Sequence, residues 1–106
     1  MILDNLSQIK NLDKSRMLGS IEALADQCRQ ASRDLQGVSA PRVYAQMKNI
    51  VVAGMGGSAL GAHIIDALYG RELKAPLEIA NDYHLPAYVN KETLVVLSSY
   101  SGSTEE

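Results

Sequence analysis

Tryptophan and phenylalanine are both absent from this chain of 106 residues. A core built without them draws on Leu, Ile, Val, Ala and Met, a palette that suits helices packed on a parallel sheet. There is one cysteine, Cys28, so no internal disulfide can form, which fits a reducing compartment. No basic excess exists either: Lys plus Arg is 10 and Asp plus Glu is 12, for a net charge of -2. That balance argues against a nucleic-acid groove, which needs clustered positive charge. No apolar run approaches the ~20 residues of a membrane span. The opening Met1-Ile2-Leu3-Asp4 lacks a basic segment followed by an apolar stretch, so no secretory leader is expected and a cytoplasmic location is. What remains is ordinary for a globular protein, with 46% hydrophobic and 21% charged residues. The length allows one domain at most.

The first clear pattern is helical. Asp13 stands as the expected N-cap of one long helix whose apolar positions run Met17, Leu18, Ile21, Leu24, Ala25, Cys28, Ala31 and Leu35. Steps of three and four put them on one face. Gly37 and Pro41 end the helix. At ~1.5 Å per residue it would be about 33 Å long, an arm for a domain this small. Cys28 falls on the apolar face and is expected in a core. Residues 38–48 read as a connection with one helical turn at Val43–Met47.

Asn49–Ala53 is then an unbroken, largely β-branched run, the pattern of a strand buried on both faces of a parallel sheet. Gly54-Met55-Gly56-Gly57-Ser58 punctuates it, and Ala59–Leu68 returns to helical spacing through Leu60, Ile64, Ile65 and Leu68, closed by Gly70. Leu77–Ala80 and Thr93–Leu97 are two further strands. Strand, glycine loop, helix and strand in this order make a βαβ unit. The ending, Ser101-Gly102-Ser103-Thr104-Glu105-Glu106, has the polar, acidic character of a helix's first turn, with Ser101 or Ser103 as its cap. The expectation is an α/β three-layer sandwich with a parallel sheet, cut short, as the N-terminal part of a larger protein. Its expected division is a helical arm over 1–48 and the first, incomplete part of a ligand-binding domain over 49–106. Val95 and Leu97 would then be left exposed.

Two loops carry chemistry, both at the C-terminal end of a buried strand, where open parallel sheets bind ligands. In Gly54–Ser58 the glycines allow close backbone approach, and the helix that follows offers N–H groups and partial positive charge to an anion. In Ser99–Thr104, hydroxyls at alternating positions and a glycine turn can wrap one phosphate. Neither loop holds Lys or Arg, so dipoles and hydroxyls replace a counter-charge. A phosphomonoester on a neutral sugar matches.

The first loop alone is ambiguous. Gly54-x-Gly56-x-x-Ala59 also matches the dinucleotide fingerprint, with Asp82 as its ribose-binding acid. It is not a P-loop, because no Lys precedes Ser58 in the required frame. The second loop separates the readings: a phosphosugar pocket needs Ser-x-Ser-Gly-x-Thr after the third strand and a dinucleotide domain does not. On this reading Asp82 is either a ligand residue or, as expected, a loop cap on the connection towards Tyr83-Leu85-Pro86, not beside a ribose pocket, and NAD is not expected to bind.

Residues 49–61 and 98–106, with Asn81–Pro86 between them, resemble the sugar isomerase (SIS) domain. More narrowly, they are similar to the start of the bifunctional phosphoglucose/phosphomannose isomerases. The resemblance covers about residues 12–106, and the long N-terminal helix fits it. It implies an SIS or flavodoxin-like fold in which Gly56, Gly57 and Ser58 touch the sugar and its phosphate while Ser99, Ser101 and Thr104 hold the phosphate. Where the family has Asn this chain has Ser103, at a position that points away from the phosphate in the family pattern. The family's catalytic glutamate, histidine, arginine and lysine lie beyond residue 106, so no catalytic residue is assigned. The implied chemistry is ring opening and proton transfer between C1 and C2 through an enediol, with a glutamate base. It needs no metal or cofactor, and the implied complete protein is a cytoplasmic homodimer.

Plainer readings stand beside these. The glycine loop can be a ligand-free strand-to-helix turn, and the Ser/Thr loop a polar helix cap. His63 and His84 have no partner at metal-ligand spacing and read as surface or loop histidines. Glu105 and Glu106 read as the acidic start of a helix, not as a catalytic base. Beside the isomerase stands a phosphosugar-sensing SIS module of a regulator. Such a module would follow a DNA-binding helical domain, and the segment before Asn49 has no basic recognition helix.

Overall fold

A computed structural model of the chain describes residues 4–105. The chain divides into two compact units, one up to Ser39 and one from Ala40 onward. The first unit is helical, with α1 at Leu6–Leu12, α2 at Met17–Glu22 and α3 at Leu24–Leu35. Asn5 starts α1, its side-chain oxygen accepting the N–H groups of Ser7 and Gln8, both at 3.2 Å.

The single long helix expected over this region is two helices. The residue at the N-cap position of α2 is Arg16, in the left-handed region at φ 56, and it makes no side-chain cap. Asp13 caps from further back: its Oδ1 accepts the N–H of Met17 at 2.7 Å and its Oδ2 that of Leu18 at 2.8 Å. One carboxylate thereby satisfies two orphan donors at the positive end of the helix. The break follows Gly19-Ser20, a pair that weakens helix interiors, and falls at Ala23, where ψ is -4. Cys28 is exposed and not in a core. No residue of α3 is buried, because the amphipathic stripe of Leu24, Cys28 and Leu35 has no covering element in its own unit.

The second unit opens with a 3-10 turn at Arg42–Gln46, close to the helical turn expected there. It continues with β1 at Asn49–Ala53, a 3-10 turn at Gly56–Ala59, α4 at Leu60–Tyr69, β2 at Leu77–Ala80 and β3 at Thr93–Leu97. The strands form one parallel sheet in the order β2-β1-β3. This is the α/β architecture with a parallel sheet that the strand pattern predicts. Register is in step across the sheet: Ala53 pairs with Ala80 on one side and with Leu97 on the other. The central strand carries the core. Adjacent Val51 and Val52 point to opposite faces and are 0% and 9% exposed, so both faces of β1 are covered.

Ala59, Ala62 and Ala80 complete the buried set among the described residues. The face of α4 that buries is therefore the small one. Leu60, Ile64, Ile65 and Leu68, which set its helical spacing, are exposed. On β3, Leu97 is exposed as expected, and so is Val96, whereas Val95 is half-buried. Among the described residues no helix follows β3: Ser101, Ser103 and Glu105 lie in irregular chain, and Glu106 is outside the described residues. No helix of the described residues is long and apolar enough to cross a membrane.

Because one carboxylate holds two donors at the start of α2, Asp13→Ala is expected to cost about 1 kcal/mol and to reduce helicity. Urea unfolding followed by far-UV circular dichroism checks this.

Candidate functional site

The in-step register brings three chain segments to one edge of the sheet. The ladder runs one bond past the strands on each side of β1: Gly54 N–H donates to Ala80 O at 3.2 Å, and Ser98 N–H donates to Ala53 O at 2.8 Å. The chain then opens into the Gly54–Ser58 turn after β1, the segment around Asp82 after β2, and the Ser98–Thr104 loop after β3.

The first and third segments are bonded through Ser58. The Ser98 hydroxyl donates to the Ser58 carbonyl at 2.8 Å, and the Tyr100 N–H donates to the Ser58 Oγ at 3.1 Å. Two bonds across forty residues of sequence fix the loops against each other. Gly54 makes this approach possible: a Cβ there would stand 2.9 Å from the Ser98 carbonyl oxygen and 3.3 Å from the Ser98 Cβ. Gly56 has φ +53, the left-handed backbone that turns the chain from β1 into the 3-10 run and α4.

Within the third segment the hydroxyls of Ser99 and Thr104 are 3.1 Å apart, and Ser99 Oγ accepts the Gly102 N–H at 3.0 Å. Ser103 N–H approaches Ser101 Oγ at 3.4 Å. A cavity of about 200 Å³ lies among Gly54, Ser58, Asp82, Ser98, Ser99 and Thr104, with Met55 and Leu97 also on its wall. Three of the six sequence-predicted residues, Ser58, Ser99 and Thr104, thus meet around one space. Gly57 and Ser101 lie on a neighbouring shallow depression together with Met55, Ser58 and Tyr100, so Ser58 belongs to both. Gly56 lines neither.

The cavity wall holds no Lys or Arg, and Asp82 is its one charged side chain. The donors available to a ligand are therefore hydroxyls and the backbone at the start of a helical run, where N–H groups and a partial positive charge favour an anion. Asp82 Oδ1 accepts the Tyr83 N–H at 2.6 Å, so the carboxylate caps its loop as expected. It also lines the cavity, so its position serves the loop-cap and the ligand-residue readings alike. The physical cause is the register: two residues beyond Ala80 is the same sheet edge as Gly54 and Ser98. Ser98 was not singled out as a site residue. Alignment of the three strand ends was the signal for both.

His84 Nδ1 stands 3.8 Å from Asp82 Oδ1, and His63 is exposed on α4. Among the described residues no group of His, Cys, Asp or Glu is placed to hold a metal ion. Tyr88 donates to Glu78 Oε2 at 2.5 Å on the β2 side of the sheet, and this bond holds its phenol pKa above the ordinary value.

The chain is 37% identical over 90 residues to a bifunctional phosphoglucose/phosphomannose isomerase of Caldicellulosiruptor bescii, covering 85% of this chain and 26% of that protein. It is 43% identical over 58 residues to the protein of the same name from Thermoplasma acidophilum, covering 55% of this chain and 18% of the relative. A third, from Aquifex aeolicus, is 43% identical over 60 residues, covering 56% and 19%.

The chain is a relative of the bifunctional phosphoglucose/phosphomannose isomerases.

It spans about a quarter or less of the length of these relatives. No family model matches the chain, and no solved structure does. The parallel α/β fold, with a glycine turn and a hydroxyl loop at one sheet edge, agrees with the SIS resemblance of residues 49–61 and 98–106.

The contact at Gly54 has a measurable consequence. Gly54→Ala is expected to cost about 1–3 kcal/mol, because the Ser98 backbone must move and the Ser58 bonds lengthen. Gly57→Ala, where a Cβ meets nothing within 4 Å, is expected to stay within about 0.5 kcal/mol of wild type. Denaturant unfolding of the two variants side by side provides the comparison.

Proposed function

We propose that this chain binds the phosphate end of a phosphosugar. In this reading it is part of an aldose–ketose isomerase that interconverts glucose 6-phosphate or mannose 6-phosphate with fructose 6-phosphate. The observation that carries the reading is the junction at Ser58, which joins the glycine turn and the Ser/Thr loop around one cavity. Ser58, Ser99 and Thr104 supply hydroxyls to the phosphate. Ser101 and Gly57 flank the same ligand from the adjoining depression, and Gly56 shapes the turn. Residues 1–48 form a helical arm and 49–106 the first part of the phosphosugar-binding domain. The relatives' names are those of enzymes, which supports an isomerase over a phosphosugar-sensing regulatory module. The proposal includes a cytoplasmic homodimer of the complete protein, working without metal or cofactor.

Proton transfer between C1 and C2 needs a base held in place and an acid–base partner for ring opening. Asp82 and Glu105, the carboxylates of the described residues nearest the loops, are both exposed. We assign neither as the base, and the proposal takes the catalytic groups from sequence outside these 106 residues. The purified chain is therefore expected to bind phosphosugar without turning it over. A coupled assay for conversion of glucose 6-phosphate checks this, and turnover well above the uncatalysed rate would show that a residue of this chain is the base.

Binding has its own test. A charge-assisted hydrogen bond contributes roughly 1.5–3 kcal/mol, so Ser99→Ala is expected to weaken fructose 6-phosphate binding about tenfold or more by calorimetry. Unchanged affinity would remove Ser99 from the site.

One observation favours a second reading. Asp82 on the cavity wall stands where the dinucleotide fingerprint wants its ribose-binding acid. The Ser99–Thr104 hydroxyl pair has no role in that reading. Micromolar binding of a nicotinamide dinucleotide, followed by fluorescence, would favour it over the phosphosugar.

A further inference from the structure

The cavity is lopsided in charge and in shape. The hydroxyls of Ser99 and Thr104 come from the β3 side, that of Ser58 follows the central β1, and the only charged residue, Asp82, comes from the β2 side. Ala80, Ala53 and Leu97 are register partners across the sheet, so these two sides are separated by two strand spacings, about 10 Å. A free phosphate on the hydroxyl side does not reach across that width. A hexose phosphate does, and it brings neutral hydroxyl donors to the far side.

The Asp82 carboxylate suits such donors. One oxygen, Oδ1, accepts the Tyr83 N–H at 2.6 Å. An ionised carboxylate offers about four lone-pair sites, so accepting capacity remains. His84 Nδ1, at 3.8 Å from Oδ1, is beyond hydrogen-bond distance. The Asp82 side chain is 71% exposed, so a ligand can reach it. Its charge also repels a phosphate on the β2 side, and no cation on the wall offsets that repulsion.

Resting on the phosphosugar reading, we infer that Asp82 is the specificity-determining residue of the cavity. Its carboxylate accepts hydrogen bonds from hydroxyls of the sugar body, and its charge holds the phosphate to the Ser99 and Thr104 side. The site then selects a phosphosugar over inorganic phosphate and sets which end of the ligand lies at which loop.

The test is calorimetry on the 106-residue chain with two probes, fructose 6-phosphate and inorganic phosphate. Asp82→Ala is expected to weaken fructose 6-phosphate about tenfold and to leave inorganic phosphate unchanged or tighter. Asp82→Asn keeps an acceptor for the Tyr83 N–H and removes the charge. It is expected to weaken the phosphosugar several-fold and to tighten phosphate. The preference for phosphosugar thus falls in both variants, which a loss of loop structure alone does not produce. Wild-type affinity for fructose 6-phosphate in both variants overturns the inference, as does an equal loss for the two probes. If the unaltered chain binds neither probe, the phosphosugar reading itself fails and this inference falls with it.

Discussion

Ser58 accepts two hydrogen bonds from the segment that follows β3, one at its carbonyl and one at its hydroxyl. Everything proposed for the sheet edge depends on that junction. Without it the glycine turn and the Ser/Thr loop are two unrelated strand exits. With it they are walls of one cavity. The junction in turn needs the absence of a side chain at Gly54, since a Cβ would press on the Ser98 carbonyl. It also needs the matched register that ends β1, β2 and β3 at one level. A short parallel sheet with a buried centre, Val51 and Val52, is enough to set that level.

The electrostatics of the cavity follow from what the loops lack. An anion site commonly places Lys or Arg beside the ligand, and this wall has neither. Hydroxyl dipoles and the N-terminal backbone of a helical run are the remaining means of holding phosphate. Such a site is weaker per contact than one with a formal counter-charge. It suits a ligand that is bound and released, and it gives weight to a single carboxylate. Asp82 therefore acts by exclusion as well as by attraction.

The sheet was legible in the sequence because a strand buried on both faces needs an apolar run with no polar alternation. Asn49–Ala53 and Thr93–Leu97 have that pattern, Leu77–Ala80 departs from it at the exposed Glu78, and the observed limits of all three coincide with the expected ones. The helices were legible as a stripe but not as packing. Periodicity records that Met17, Ile21, Leu24, Cys28 and Leu35 share a side; it does not record whether anything covers that side. Nor does it weigh Gly19-Ser20 inside α2, after which the stripe breaks at Ala23 into two helices. In α4 the large residues set the period while Ala62, together with Ala59 just before the helix, makes the buried contact. At the site, Ser58, Ser99 and Thr104 were legible from their loop chemistry. Asp82 was legible as a candidate acid, but its meeting with the two loops, and the part played by Ser98, required the register, a property of three strands together that no single segment displays.

The central claim is that one phosphosugar occupies both loops at once. Titrating the isotopically labelled chain with fructose 6-phosphate while following backbone amide resonances tests it most directly. The account predicts that the amides of Gly54–Ser58, Ser99–Thr104 and Asp82 shift together and saturate along one binding curve, while those of Asn49 and Thr93 at the opposite strand ends stay still. Shifts confined to one loop, or two loops saturating at different concentrations, would contradict it.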